Sequence, residues 1–351
     1  MADESDSQTA RHMNVVQNPK RTVSMSDVAQ AAGVSQQTVS RVANGKTNVS
    51  PDTRKRVLKA MHTLGFRPNY AGRSLRQGSY HAVGLYVYDI TEIGNFNMLK
   101  GILEATREPG YAVTMLERPE GSAFSLSEVS QRMAALPVDG MVIGMSRMAT
   151  DFNEFVPQPG MNTVIVTMYS HPRCTTVDSD QYGCSYLVMN HLYGYGHRQI
   201  RFVAGPVHSI DSQFRERGWR DFMRDHNLEL HEPIHGDWTA NGGYEIGAKL
   251  AQDKQMTAIY VANDQMAMGV IAALRDAGLR VPEDISVVGV DDALEKTVPN
   301  VGLTTVRFDL VERGRVVFEN VVNGPTGHPL AIRIPGKLIK RRSVALAHLR
   351  T

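Results

Sequence analysis

The sequence predicts an α-helical N-terminal domain followed by a larger α/β core of two similar lobes. Three observations carry that prediction. Residues 24–45, SMSDVAQAAGVSQQTVSRVANG, read as two short helices joined by a tight turn. Between Lys20 and Arg76 there are 11 Lys and Arg against 2 acidic residues, although the whole chain carries a formal charge of only +2. From Tyr80 onward, apolar strands alternate with amphipathic helices for about 270 residues, more than one sheet usually needs.

The chain opens on a polar stretch, 1–19, with no apolar run of the kind a secretory signal requires, and it reads as a disordered tail. Residues 20–66 form the head. Ser24 is a good N-cap for a helix in which Val28, Ala29 and Ala32 share one apolar face, and Asp27 suits the positive end of its dipole. Gly33 supplies the turn, and Ser35 caps a second helix whose Val39 and Val42 face inward. Gln36, Gln37, Ser40 and Arg41 form its outward set. Amides and a guanidinium at a helix N-terminus suit base-edge contacts in a DNA major groove, Gln to adenine and Arg to guanine. Ser50-Pro51-Asp52 starts a third helix, with Val57, Met61 and Leu64 on its inner face and Gly65 at its end. A basic head on a mildly acidic body is an electrostatic footprint for phosphate. Residues 67–79 form a linker: Pro68 and Asn69 break the third helix, and 70–76, with Arg73, Leu75 and Arg76, suit a short helix. About seven residues make a marginal helix alone, so this one is expected to order only against DNA or a partner.

In the core, residues 80–351, strands are expected at 81–88, 112–116, 140–144, 163–166, 200–204, 258–261 and 285–290. Helices are expected at 96–107, 126–136, 183–193, 214–226, 242–253 and 264–276. That alternation argues for parallel sheets covered on both faces. Several function classes lose support. No strand ends in GxGxxG and no GxxxxGK[ST] occurs, so nucleotide phosphates are not expected as ligands. No GxSxG, HExxH or paired-carboxylate signature supports an enzyme, and His197 in GHRQI reads as a packing or capping residue. The two cysteines, Cys174 and Cys184, lack metal-ligand spacing and are expected as reduced thiols, with neither metal nor cofactor. No stretch approaches the roughly 18–20 apolar residues of a membrane span, and a cytoplasmic location is expected.

The segments DVAQAAGVSQQTVSRVANG, NVSPDTRKRV, LGFRPN, RSL, MLKGILEA, GHRQIRFVAGP, VANDQMAMG, VPEDISVVGVDD and LTTV resemble the lactose-repressor (LacI/GalR) family of bacterial transcription regulators. The resemblance runs through essentially the whole chain from Ser24. It implies a helix-turn-helix DNA-binding domain, a hinge helix and a two-lobed core like that of periplasmic sugar-binding proteins. The lobes would be 80–178 with 308–337, and 179–307 with 338–351. It further implies a dimer on a palindromic operator in double-stranded DNA, most often as a repressor, with an activator as the alternative, controlled by a small effector between the lobes. The chain lacks the leucine heptads of a tetramerising tail after LIKRRSVALAHLR, and helices near 96–107 and 266–275 are the expected dimer contacts.

Carried over by position, Gln36, Gln37 and Arg41 would read the major groove. Ser35, Thr38, Ser40, Asn44, Asn48, Ser50, Thr53, Asn69 and Arg73 would complete the DNA contacts, and Leu75 would wedge into the minor groove, where unstacking is offset by the bent interface. Gly72 departs from the family's usual Ala before RSL and should cost the hinge helix roughly 1 kcal/mol. The effector positions would be Arg215, Trp238, Asn263 and Asp291, with Tyr88 and Met98 from the first lobe. A flat indole can cover a pyranose face while planar Arg, Asn and Asp groups bond its hydroxyls. Thr167 stands where the resemblance leads one to expect an acidic residue, and Phe308 where it leads one to expect a polar one. Losing a carboxylate and gaining a ring points to more stacking and fewer hydroxyl bonds. The expected effector is therefore a sugar, a β-linked disaccharide or other glycoside. A nucleoside or purine between Trp238 and Phe308 is the alternative.

Overall fold

The computed structural model describes residues 23–67, 78–88, 90–91, 93–117, 124–295, 298–324 and 327–348. Two compact units divide the chain, one up to Gln77 and one from Gly78. The tail, the hinge segment and the expectations for Asn69, Gly72, Arg73 and Leu75 lie outside the described residues.

In the N-terminal unit, α1 (Met25–Ala32), α2 (Gln36–Ala43) and α3 (Pro51–Leu64) pack around Val28, Ala29, Ala32, Val39, Val42, Val57, Ala60 and Met61. Each start is fixed by a serine. Ser24 and Asp27 form a reciprocal capping box, the Ser24 amide donating to the Asp27 carboxylate at 2.8 Å. Ser35 and Ser50 accept from the Thr38 and Thr53 amides. The inner face of α3 differs from expectation at one position: Leu64 is exposed. The left-handed Gly65 (φ 66°) folds the chain back, so that Phe66 rather than Leu64 packs against the end of this core.

In the larger unit, two parallel sheets carry the strands. The first has the order β11-β5-β4-β3-β1-β2, built from β1 (Ala82–Val87), β2 (Ala112–Glu117), β3 (Gly140–Gly144), β4 (Asn162–Val166), β5 (Thr175–Ser179) and β11 (Ala331–Ile334). The second has the order β7-β6-β8-β9, from β6 (Ile200–Ala204), β7 (Ile234–His235), β8 (Ala258–Val261) and β9 (Ser286–Val288). β10 (Thr305–Phe308) pairs antiparallel with β12 (Gly336–Ile339). Strands β1, β3, β6 and β8 are buried at every position, as expected of parallel strands covered on both faces. The chain passes between the sheets after β5, after β10 and between β11 and β12.

The helices are α4 (Ile93–Arg107), α5 (Leu126–Ala134), α6 (Gln181–Gly194), α7 (Ile210–Asp225), α8 (Ala240–Leu250), α9 (Asp264–Asp276) and α10 (Leu310–Asn323). α4 and α10 cross at two glycines. A Cβ on Gly101 would lie 2.1 Å from the Leu310 carbonyl oxygen, and one on Gly314 would lie 2.1 Å from the Gly101 carbonyl. That close approach seats α10 against β3, β4 and β5.

Several helices start earlier than the apolar period suggests, because polar caps set their ends. Asp180 caps α6, Ser209 caps α7 and Thr239 caps α8, each accepting a backbone N–H three residues on. His197 is buried and packs: Nδ1 lies 3.0 Å from Thr257 Oγ1, and Nε2 lies 2.9 Å from Ser286 Oγ and 3.0 Å from the Ala345 carbonyl. Burial lowers its pKa to about 4. Cys174 and Cys184 are buried free thiols, both pushed up by burial, to about 12 and about 11.

Candidate functional site

Two surfaces matter, one in each unit. In the N-terminal unit, Gln36, Gln37 and Arg41 stand exposed along α2, with Asn44 and Asn48 exposed just beyond it. Ser40 is half-buried, its hydroxyl accepting from the Asn44 side chain at 3.3 Å. Ser35 with Thr38, and Ser50 with Thr53, are occupied as helix caps, their paired hydroxyls 3.0 and 2.9 Å apart. These hydroxyls fix the starts of α2 and α3 at the surface of the unit.

In the core, a cleft of about 360 Å³ lies at the C-terminal ends of the parallel strands, where several helices begin. Met98, Arg215, Trp238, Asn263, Asp291 and Phe308 all line it. Tyr88 and Thr167 do not. Thr167 is fully buried and its hydroxyl accepts from the Tyr169 amide at 3.3 Å. The Tyr88 hydroxyl accepts from Arg147 at 3.1 Å, and that guanidinium lies 4.4 Å from the Tyr88 ring centre.

Arg215 is buried at the heart of the site. Nε donates to Gln181 Oε1 at 2.9 Å, Nη1 to the Ala262 carbonyl, and Nη2 to Asp291 Oδ1 at 3.2 Å. Burial works against its charge, but the carboxylates around it, Asp291 first, hold its pKa above the usual guanidinium value. Its guanidinium lies 5.7 Å from the Trp238 ring centre and 5.8 Å from that of Phe308. Asp291 sits at φ 104°, and burial raises its pKa against the pull of Arg215.

Trp238 also has a left-handed backbone (φ 70°), and Asn263 helps to hold it there. The Asn263 amide nitrogen donates to the Trp238 carbonyl at 3.0 Å, while its oxygen caps α9 on the Met266 amide, also at 3.0 Å. The indole lies over Gly205, where a Cβ would come within 2.2 Å of Cη2.

Sequence reasoning missed a charged group in this cleft. Asp178, Gln181, Asp211 and Arg313 line it as well. Arg313 Nη1 lies 3.3 Å from Asp178 Oδ1 and 3.2 Å from Ser179 Oγ. Burial, reinforced by the nearby Asp211, pushes Asp178 up to about 7 despite Arg313. The cleft is therefore not short of carboxylates, which corrects the expectation drawn from Thr167. Asp211 was missed because the helix was expected only from 214, whereas the Ser209 cap starts it at Ile210 and brings Asp211 one turn ahead of Arg215. Asp178 was missed because TTVDS does not read as a buried strand. Among the described residues no cluster of three metal-ligating side chains occurs, and no helix is long and apolar enough to cross a membrane.

Residues 24–69 match the model for bacterial regulatory proteins of the lacI family, and residues 189–344 match a periplasmic binding protein-like domain. The lactose operon repressor of Escherichia coli (strain K12) is 29% identical over 348 residues, covering 94% of this chain and 93% of the relative. A crystal structure of the lac repressor dimer bound to operator and the anti-inducer ONPF aligns with a TM-score of 0.75 at 26% identity. It covers 93% of this chain and all of that one. The structure of a transcriptional regulator CelR–cellobiose complex aligns with a TM-score of 0.65 at 26% identity, covering 92% and 99%. The chain thus joins a helix-turn-helix domain of the lacI family of bacterial regulatory proteins to a periplasmic-binding-protein-like core.

Proposed function

We propose that this chain is a cytoplasmic transcriptional repressor that binds a palindromic operator as a dimer and is controlled by a small sugar in the core cleft. The observation that carries the reading is the wall formed by Trp238, Arg215, Asn263 and Asp291. An aromatic face there stands beside planar hydrogen-bonding groups, in the same chain as a basic head with Gln36, Gln37 and Arg41 exposed. A volume of about 360 Å³ suits one small ligand. A β-linked disaccharide or glycoside fits best, in keeping with the cellobiose held by the aligned CelR structure.

Met98, Phe308, Gln181 and Asp211 complete the proposed site, and Tyr88 and Thr167 lie outside the cleft's lining. The lobes are 80–178 with 308–337, and 179–307 with 338–351, joined to the head by the linker 67–79. Phe96 and Leu103, 54% and 47% exposed on α4, support that helix as a dimer contact. A nucleoside or purine is the second reading, favoured by the two rings of Trp238 and Phe308 flanking Arg215.

Control follows linkage. The ligand prefers one arrangement of the lobes, and that arrangement has a different affinity for DNA. Selection of bound duplexes from a random pool, with and without a panel of sugars and nucleosides, tests the reading. The expected result is a two-fold symmetric site whose recovery changes with one class of ligand. An asymmetric site, or one whose recovery no sugar or nucleoside changes, would contradict it.

A further inference from the structure

Acidic groups outnumber cationic ones in the cleft: Asp178, Asp211, Asp237 and Asp291 line it with Arg215 and Arg313, and burial favours the neutral form of Asp178 and Asp291. Both guanidiniums are already committed, Arg215 to Asp291 and Arg313 to Asp178. Asp237 Oδ1 accepts from both the amide and the hydroxyl of Thr239, at 2.9 and 2.8 Å. Asp211 is different. Among the described residues it has neither a hydrogen bond nor an ion pair through its carboxylate, although it lines the cleft one turn ahead of Arg215. Its charge is felt on both sides, raising the pKa of Asp178 in the first sheet and of Asp291 beyond the second.

A neutral sugar can offer Asp211 a hydroxyl donor but no countercharge, and both guanidiniums of the cleft are already paired with other carboxylates. A metal ion is not the natural remedy, because no three ligating side chains among the described residues are gathered closely enough to hold one. A cation fixed on a ring is, since Trp238 covers the ring and Asp211 receives the charge.

We propose that the effector is an amino sugar whose protonated amine pairs with Asp211. This deepens, and rests on, the reading of the cleft as a sugar site. A charge-assisted hydrogen bond in a water-poor site distinguishes an ammonium from a hydroxyl by about tenfold or more in affinity.

The test uses the full-length protein and calorimetric titration with methyl β-glucopyranosides and β-galactopyranosides bearing a hydroxyl, an amine or an N-acetyl group at C2, C3 or C6. Methylammonium alone serves as the ring-free cation. At one position the amine is expected to bind at least about tenfold more tightly than the hydroxyl. The N-acetyl compound should lose that gain, and methylammonium should bind far more weakly. Asp211→Asn should bring the amine down to the level of its hydroxyl partner, with Asp211→Ser as a second variant and thermal unfolding establishing that both are folded.

If the hydroxyl compounds bind as well as the amines at every position, or if the ratio survives both variants, the amine inference falls while the sugar reading stands. If nucleosides bind and no sugar does, the sugar reading falls and the inference with it. Absence of binding by every amine-bearing sugar overturns the inference whatever the neutral compounds do.

Discussion

Trp238 and Asp291, both lining the cleft, hold left-handed backbone conformations that β-carbon sterics disfavour. Each is held by its neighbours. Asn263 donates to the Trp238 carbonyl, and the Asp291 amide donates to the Val306 carbonyl at 2.8 Å. Below them Asp264 is almost fully buried, accepting from the Thr305 hydroxyl at 2.7 Å and the Ala293 amide at 2.9 Å. Burial, with the charge of Asp291, pushes Asp264 up to about 8.

A carboxyl whose folded pKa lies above its unfolded value favours folding when protonated, and that stability is lost as pH rises through the folded pKa. Asp264 and Asp178 therefore weaken the core as pH rises from about 4 towards about 8 and about 7 respectively. His197, lowered to about 4, acts in the opposite sense and loses its stabilisation as pH falls below about 6.5. Because of that opposition, the informative quantity is a difference. The thermal midpoint of Asp264→Asn relative to the unsubstituted protein should rise steadily between about pH 5 and about pH 8. A difference independent of pH would contradict the placement of Asp264.

Helix crossings and helix caps decide where the cleft residues stand. Gly101 and Gly314 let α4 and α10 touch through their backbones, which seats Arg313 against Asp178. Gly101→Ala must push a methyl group into the Leu310 carbonyl, and should cost about 1–3 kcal/mol in urea unfolding. An unchanged unfolding midpoint would mean that the crossing is looser than described. At the Trp238 wall, Gly205→Ala should displace the indole and weaken ligand binding by about tenfold or more, read from ligand-dependent tryptophan fluorescence.

The same elements show what was legible in the sequence. Continuous apolar runs such as AVGLYV and GMVIG announce buried parallel strands, and the Ser and Asp caps of the head announce its helices. β5 was not legible, because TTVDS is polar yet buried throughout, with Thr and Asp side chains satisfied inside the fold. The very short β7, and β10 to β12 near the chain crossings, give too few residues for a period to emerge. Of the cleft, residues in marked motifs were recognisable, whereas Asp178 and Arg313 meet only through the α4–α10 crossing.

For the whole molecule, charge is segregated along the chain: a strongly basic segment from Lys20 to Arg76 precedes a mildly acidic remainder. Operator affinity should accordingly fall steeply with salt, in proportion to the phosphates contacted. Ligand binding in the core cleft should depend instead on the residues that line it, Arg215 and Trp238 among them. The protein as a regulator rests on one free energy that couples the two, and thermodynamics makes that coupling reciprocal. The most direct measurement is therefore double. Operator affinity is determined with and without saturating ligand, and ligand affinity with and without saturating operator, at one salt concentration. The account predicts that both affinities change by the same factor. Operator affinity that stays the same when the cleft is filled would contradict it.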